Sequence, residues 1–249
     1  MTKSELNEFL LTKADQFESL SFIEDDPISI PHQFKLKEDI EIIGLLVATI
    51  AWGNRKSIIK SGNQLVALFG ESPYDYVMNF NANRTFKFVH RTFSGEDLVF
   101  FIQALRTIYE ADGLEAAFKK TAIEGIEVSI TNFRNAMLET PHLTRSTKHL
   151  SNPMINSACK RINMYLRWMV RSNAHGVDFG IWKTLSPQDL HIPLDVHTGN
   201  IARKLGILER TQNDWKSSLQ LHEFAKQLIP NDPSKLDFAL FGLGAIENF

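Results

Sequence analysis

The chain has a single cysteine, Cys159, in 249 residues. One thiol excludes an intramolecular disulfide framework and any four-cysteine zinc or iron–sulfur site within the chain, and it favours a reduced, cytoplasmic setting. Basic charge is not in excess: 27 Lys and Arg stand against 29 Asp and Glu, a formal net charge of −2. A nucleic-acid surface would therefore have to come from local clustering. No apolar run reaches membrane-spanning length. The opening MTKSELNEFLLTKADQFESL scatters acids and has no apolar core followed by a small-residue cleavage site, so neither a signal peptide nor a membrane anchor is expected. Alternating strand patterns are scarce. ISIPHQFKL and RTFKFVHRTF read as the only extended candidates, and both are short and isolated. Internal repeats and low-complexity tracts are missing too.

What is present is apolar content and helical periodicity. With 43% hydrophobic residues the chain can bury a sizeable core. DIEIIGLLVATIA, residues 39 to 51, predicts a helix buried nearly all round and ended by the glycine in WGNRK. Ser94 with Asp97 forms a capping-box pattern ahead of LVFFIQALRTIYE, Ser186-Pro187 starts a short helix, and Asp232-Pro233 starts SKLDFALFGLGAIENF. An all-α fold of one unit, residues 1 to 249, is expected, with two helical lobes and a seam in ETPHLTRSTKHLSNP, residues 139 to 153.

Around that seam the charge is lopsided. From Thr140 to Val177 there is no Asp or Glu, while Arg145, Lys148, Lys160, Arg161, Arg167 and Arg171 all fall inside. Such a run is ordinarily a solvated helix face, but its length without acids points to a DNA-binding field carried by Arg161, Arg167 and Arg171. Within it, SACKRINMYLRWMVR predicts a helix with Ile162, Leu166 and Met169 on its apolar stripe. Asn156 or Ser157 would cap it, placing Lys160 in the first turn, where the positive end of the helix dipole and Arg161 disfavour an ammonium ion and favour a nucleophilic amine. Downstream, IPLDVHTGNIARKLGIL puts Asp195 between a proline-led turn and an amphipathic helix closed by Gly206. Taken alone, Asp195 reads as a helix N-cap.

IPLDVHTGNIARKLG resembles the segment of helix-hairpin-helix DNA glycosylases that delivers the catalytic aspartate, which places Asp195 on that residue. SACKRINMYLRWMV is similar to the helix carrying the catalytic lysine of the bifunctional members, which places Lys160 there. The 35-residue separation is closest to the archaeal 8-oxoguanine DNA glycosylase branch, and the chain also resembles an uncharacterised conserved-hypothetical group in the superfamily. LLVATIAWGNRKSIIKSGNQLVALFG is similar to the early segment in which a polar side chain fills the gap left by an extruded base, with Asn54 in that place, and FALFGLGAIEN is similar to the closing helix. The hairpin segment HLSNPMINSACK departs from the family in having no glycine, and Met164, beside Tyr165, stands where the archaeal branch has a stacking aromatic.

The resemblance implies a two-lobed glycosylase-like fold with a helix-hairpin-helix-like element and the site in the cleft between lobes. A carboxylate beneath the sugar stabilises positive charge as the glycosidic bond breaks, and a neutral lysine attacks the anomeric carbon to form a Schiff base, followed by strand cleavage at the abasic site. Base extrusion gives Asn54 and Arg55 wedge roles. It makes Trp52, His90, Met164, Tyr165 and Trp182 base-pocket candidates. The expected partner is double-stranded DNA carrying a damaged base such as an oxidised purine, bound by a monomer with no cofactor, no metal and no membrane. Two alternatives stay open: a non-catalytic DNA- or RNA-binding protein on the same scaffold, and a metal-dependent hydrolase built from His191, Asp195 and His197 with His90 or His149.

Overall fold

Helix starts in this chain are set by short polar side chains. Thr2, Asn54, Ser72, Asp195 and Asp214 each accept a hydrogen bond from the backbone N–H three residues on, satisfying a donor that the first helical turn leaves unpaired. The computed structural model describes residues 2–119, 123–247 and 249, which include every site residue named above. Within them the chain is all-α apart from one small hairpin. The helices are α1 (Lys3–Phe17), α2 (Leu20–Glu24), α3 (Lys37–Ile50), α4 (Arg55–Phe69), α5 (Pro73–Met78), α6 (Gly95–Glu110), α7 (Leu114–Ala117), α8 (Ile126–Leu138), α9 (Lys160–Val170), α10 (Val196–Lys204), α11 (Trp215–Leu228) and α12 (Leu236–Ala245). Between α5 and α6, β1 (Val89–His90) pairs antiparallel with β2 (Phe93–Ser94). Of the two extended candidates, RTFKFVHRTF contains this hairpin, whereas ISIPHQFKL folds into two proline-led 3-10 turns.

The chain divides into two compact units, one of Met1–Glu24 with Pro153–Phe249 and the other of Asp25–Asn152. In the first, α1 and α10 both pack on α12. Leu10, Ala14, Leu194, Ile201, Ala202, Leu221, Leu236, Leu240 and Leu243 form one continuous core there. α12 approaches α1 so closely that a Cβ on Gly242 would collide with the Phe17 ring. In the second unit α3 is buried on every side from Asp39 to Ile50. Its two buried acids are satisfied: Asp39 accepts from the Tyr74 N–H at 2.8 Å and Glu41 from the Tyr109 hydroxyl at 2.6 Å.

The segment around residues 139 to 153 is anchored in the second unit. Its 3-10 turn, Thr144–His149, is held to the start of α6 by Asp97, which accepts from Ser146 Oγ at 2.6 Å, Arg145 Nη1 at 2.9 Å and the Ser94 N–H at 2.8 Å. The Ser94 and Asp97 capping pattern therefore does two jobs, starting α6 and fixing a remote loop. The Asp232-Pro233 start is also found, as a 3-10 turn running into α12, which stops at Ala245.

Candidate active site

Lys160 is the first residue of α9, and Cys159 occupies the N-cap position with no side-chain cap hydrogen bond. The expected cap at Asn156 or Ser157 is thus displaced, because the chain turns sharply before the helix: Asn156 (φ 64°) and Cys159 (φ 52°) both take left-handed backbone conformations. These are positions where glycine would be free of strain. Asn156 is held there by its own contacts, its Nδ2 donating to Asp214 Oδ2 at 3.0 Å and its carbonyl accepting from the Trp215 N–H at 3.2 Å. Upstream of this turn lie the 3-10 turns Thr144–His149 and Pro153–Ile155.

Asp195 is the N-cap of α10, and its two oxygens are divided. Oδ1 accepts from the Thr198 N–H at 2.9 Å, while Oδ2 lies 3.9 Å from Lys160 Nζ. The Asn213 Nδ2 donates to the Asp195 carbonyl at 2.9 Å and fixes the approach to the helix. At its other end α10 closes in a Schellman arrangement: Gly206 (φ 73°) donates to the Arg203 carbonyl at 3.0 Å, and Ile207 donates to the Ala202 carbonyl at 2.8 Å. The two helix starts thereby bring together the amine and the carboxylate selected from sequence. Their side chains keep 28% and 22% exposure, so neither is sealed off from a substrate.

Two of the six cations in the basic span are withdrawn from the surface on folding. Arg167 and Arg171 are 2% and 3% exposed. Arg167 donates to Asp237 and Asp178, and Arg171 donates to Asp178, Glu18 and Asp232. Their assignment as DNA contacts is corrected: buried and shared among carboxylates, these guanidiniums brace α9 and present nothing to a phosphate. The acids come from Asp178, directly after the span, and from Glu18, Asp232 and Asp237 farther away in the chain. Arg145 is likewise paired, with Asp97 and Glu96. Arg161, beside Lys160, is half-buried, and that burial pushes its guanidinium below its ordinary value.

Two of the base-pocket candidates are corrected as well. Tyr165 and Trp182 are fully buried and meet edge to face at 5.4 Å, so both rings are spent on packing in the first unit. Met164 is also buried, one turn after Lys160. A groove of about 760 Å³ does include Trp182, with Val170, Asn173, Phe179, Lys183 and Leu185, but it lies at the far end of α9 from Lys160.

Trp52, Asn54, Arg55 and His90 belong to the second unit, where they come together. His90 accepts a place between α4 and the segment before it, with Nδ1 2.9 Å from Ser61 Oγ and Nε2 3.3 Å from the Trp52 carbonyl. The Arg91 guanidinium lies over the Trp52 ring at 5.1 Å. Asn54 Oδ1 accepts from the Ser57 N–H at 3.2 Å, so this residue caps α4 while remaining exposed. Arg91 at this junction, Lys56 and Lys60 on α4 and Lys87 before β1 are exposed and form no ion pair with any described residue. Lys56, Lys60 and Lys87 were not among the sequence candidates, although residues 51 to 70 and 76 to 95 are both free of acids.

The histidines do not assemble a metal site. His191 is buried between the Trp215 ring at 4.7 Å and the His222 ring at 4.4 Å, while His197 is exposed. Among the described residues no group of three or more His, Cys, Asp or Glu could hold a metal ion, which removes the ligand set of the hydrolase alternative. Burial lowers His191 to about 3. Cys159 offers no alternative nucleophile, since burial pushes its thiol up to about 12. No helix among the described residues is long and apolar enough to cross a membrane.

One acid at the site was missed. Asp237, 5% exposed in the first turn of α12, lies within electrostatic reach of both Asp195 and Lys160. A lone carboxylate in the apolar run LDFALFGLGA was the available signal. The family model described as Protein of unknown function (DUF2400) matches residues 26–246, which include Lys160, Asp195 and Asp237, and the chain belongs to that family. No curated protein and no solved structure matches it.

Proposed function

We propose that this member of the DUF2400 family is a DNA glycosylase with abasic-site lyase activity, acting on a damaged base in duplex DNA. The observation that carries the reading is the pairing of Lys160 Nζ with Asp195 Oδ2 at 3.9 Å, each at the first turn of its own helix and each partly exposed. In the reaction the Lys160 amine attacks the sugar C1′, the glycosidic bond breaks, and the base leaves with the bonding electrons. Asp195 stabilises the positive charge that develops on the sugar. The bound sugar then opens to a Schiff base, and loss of a proton from C2′ expels the 3′ phosphate.

The exposed basic residues at the start of α4 and on the β1–β2 hairpin are the source of phosphate attraction in this reading. Its test is borohydride trapping on duplexes carrying a panel of damaged bases or an abasic site. Wild-type protein forms a covalent adduct, and Lys160→Gln abolishes it while remaining folded and DNA-bound. DNA binding without an adduct on any substrate would instead support a non-catalytic binding protein.

A further inference from the structure

Lys160 and Asp195 do not hold each other in place. Their 3.9 Å separation is longer than a hydrogen bond and both side chains are partly exposed, so the pair contributes little to keeping two helix starts together. Chemistry at one sugar nevertheless needs the amine and the carboxylate at a fixed separation. The backbones that carry them are both tied to a third segment, Asn213-Asp214, which leads into α11.

Asn213 serves the Asp195 side. The Asp195 carbonyl accepts twice, from the Gly199 N–H at 2.9 Å in the first turn of α10 and from Asn213 Nδ2 at 2.9 Å. The other end of the Asn213 amide is oriented by Arg203, whose Nη2 donates to Oδ1 at 2.6 Å and whose Nε donates to the Arg210 carbonyl at 2.7 Å. The amide packs closely over Gly199, where a Cβ would come within 2.5 Å of Asn213 Oδ1. Asp214 serves the Lys160 side. Its Oδ2 accepts from Asn156 Nδ2 at 3.0 Å and from Arg210 Nη2 at 2.5 Å, and its backbone forms an antiparallel bridge with Ser157. Asn156 also accepts from the segment, through its carbonyl from the Trp215 N–H at 3.2 Å and through Oδ1 from the Lys216 N–H at 3.3 Å. Those contacts hold the left-handed residue of the turn that leads into Lys160. Capping of α11 occupies Asp214 Oδ1, which accepts from the Ser217 N–H at 2.9 Å. It does not account for Oδ2 or for the Asn213 amide, which reach two other helix starts.

We propose that Asn213 and Asp214 are positioning residues for the reaction: neighbours in sequence, they tie the Asp195 helix start and the Lys160 turn to one strap and thereby set the separation of carboxylate and amine. This rests on the reading of Lys160 and Asp195 as the reacting pair. Neither strap residue touches substrate; each acts through the residue it holds. Arg210 joins the two halves, its carbonyl anchoring Arg203 and its guanidinium pairing with Asp214.

The test compares the full wild-type chain with Asn213→Asp, Asn213→Leu and Asp214→Asn. Asn213→Asp keeps the oxygen that accepts from Arg203 and replaces the donor to the Asp195 carbonyl with a second acceptor, whereas Asn213→Leu removes both. Asp214→Asn keeps an oxygen for the α11 cap and loses the acceptor for the Asn156 amide. One readout is single-turnover borohydride trapping on an abasic-site duplex over a range of protein concentrations. The other, without DNA, is zero-length carbodiimide coupling of the Lys160 amine to the Asp195 carboxylate, read by peptide mass spectrometry. Asn213→Asp and Asp214→Asn should lower the maximal trapping rate about tenfold to a hundredfold, the effect of a displacement of about 1 Å, and lose most of the cross-link. Their half-saturating concentration and melting temperature should stay close to wild type. A role confined to holding Arg203 predicts instead that Asn213→Asp matches wild type in both readouts and that only Asn213→Leu loses rate, together with melting temperature. That result overturns the proposal, as does a wild type without the cross-link or full cross-linking in Asn213→Asp and Asp214→Asn. Should Asn213→Leu fail to fold, the other two variants decide. A wild type that forms the cross-link but no DNA adduct overturns the lyase reading, and the cross-linking arm then decides by itself whether the strap sets the pair.

Discussion

Asp195 carries two duties on two oxygens, and substitution can separate them. Asp195→Asn keeps an oxygen able to accept from the Thr198 N–H, now 2.9 Å from Oδ1, and removes the charge that Oδ2 presents 3.9 Å from Lys160 Nζ. Asp195→Ala removes both. Loss of an N-cap costs about 1 kcal/mol, so the alanine variant should be destabilised by that amount and the asparagine variant by only a few tenths. A full positive charge about 4 Å from the carboxylate is stabilised by about 4 kcal/mol at an effective dielectric constant of about 20. If the sugar cation forms at a comparable distance, losing that term slows base excision by up to about three orders of magnitude. Urea unfolding measures the first effect and single-turnover base release the second. Asparagine should therefore be nearly as stable as wild type and almost inactive. Near-normal excision by Asp195→Asn, or equal destabilisation of the asparagine and alanine variants, would refute the division of labour.

Other outcomes follow from the same geometry. His191 is held to about 3 by burial, below its ordinary value. The unfolded chain therefore binds more protons below about pH 6.5, and stability falls on acidification, by about 2 kcal/mol at pH 5 from this residue; His191→Gln should flatten the pH dependence of denaturant unfolding. Among the described residues, Arg171→Ala takes the only ion-pair partner from Asp232 and one of two cations from each of the buried Glu18 and Asp178, and should cost about 3–5 kcal/mol, read as a large drop in melting temperature. Replacing Lys56 and Arg91 with glutamine should leave the melting temperature nearly unchanged. It should reduce the log–log salt slope of duplex binding by about 2 if both contact phosphates. An unchanged slope would move the DNA surface elsewhere.

Much of the local architecture was legible because its causes lie within one helical turn. The cap at Asp195, the Schellman close at Gly206 and the Ser94–Asp97 pairing are contacts between residues a few positions apart, which spacing and side-chain type decide. The all-round burial of α3 follows from its continuous apolar run. The places of Lys160 and Asp195 at helix starts were legible for the same reason, whereas their candidate roles came from the resemblance of the segments around them. The N-cap of α9 was not legible, because Asn156 takes its left-handed conformation through contacts with Asp214 and Trp215 from another part of the chain.

What sequence alone determined was therefore a subset of the helices, among them α3, α6, α9 and α10, and the places of Lys160 and Asp195 at two of their starts. Which charges remain available to a partner was decided by tertiary structure. Arg171 meets Glu18 across 153 positions and Arg167 meets Asp237 across 70, so these two cations of an acid-free stretch became part of a neutralised interior. Lys56 and Arg91 stayed solvent-facing within a less conspicuous stretch. Backbone hydrogen bonding is settled among near neighbours, whereas the field at a side chain depends on every group that packing brings close, and burial strengthens that dependence by lowering the local dielectric.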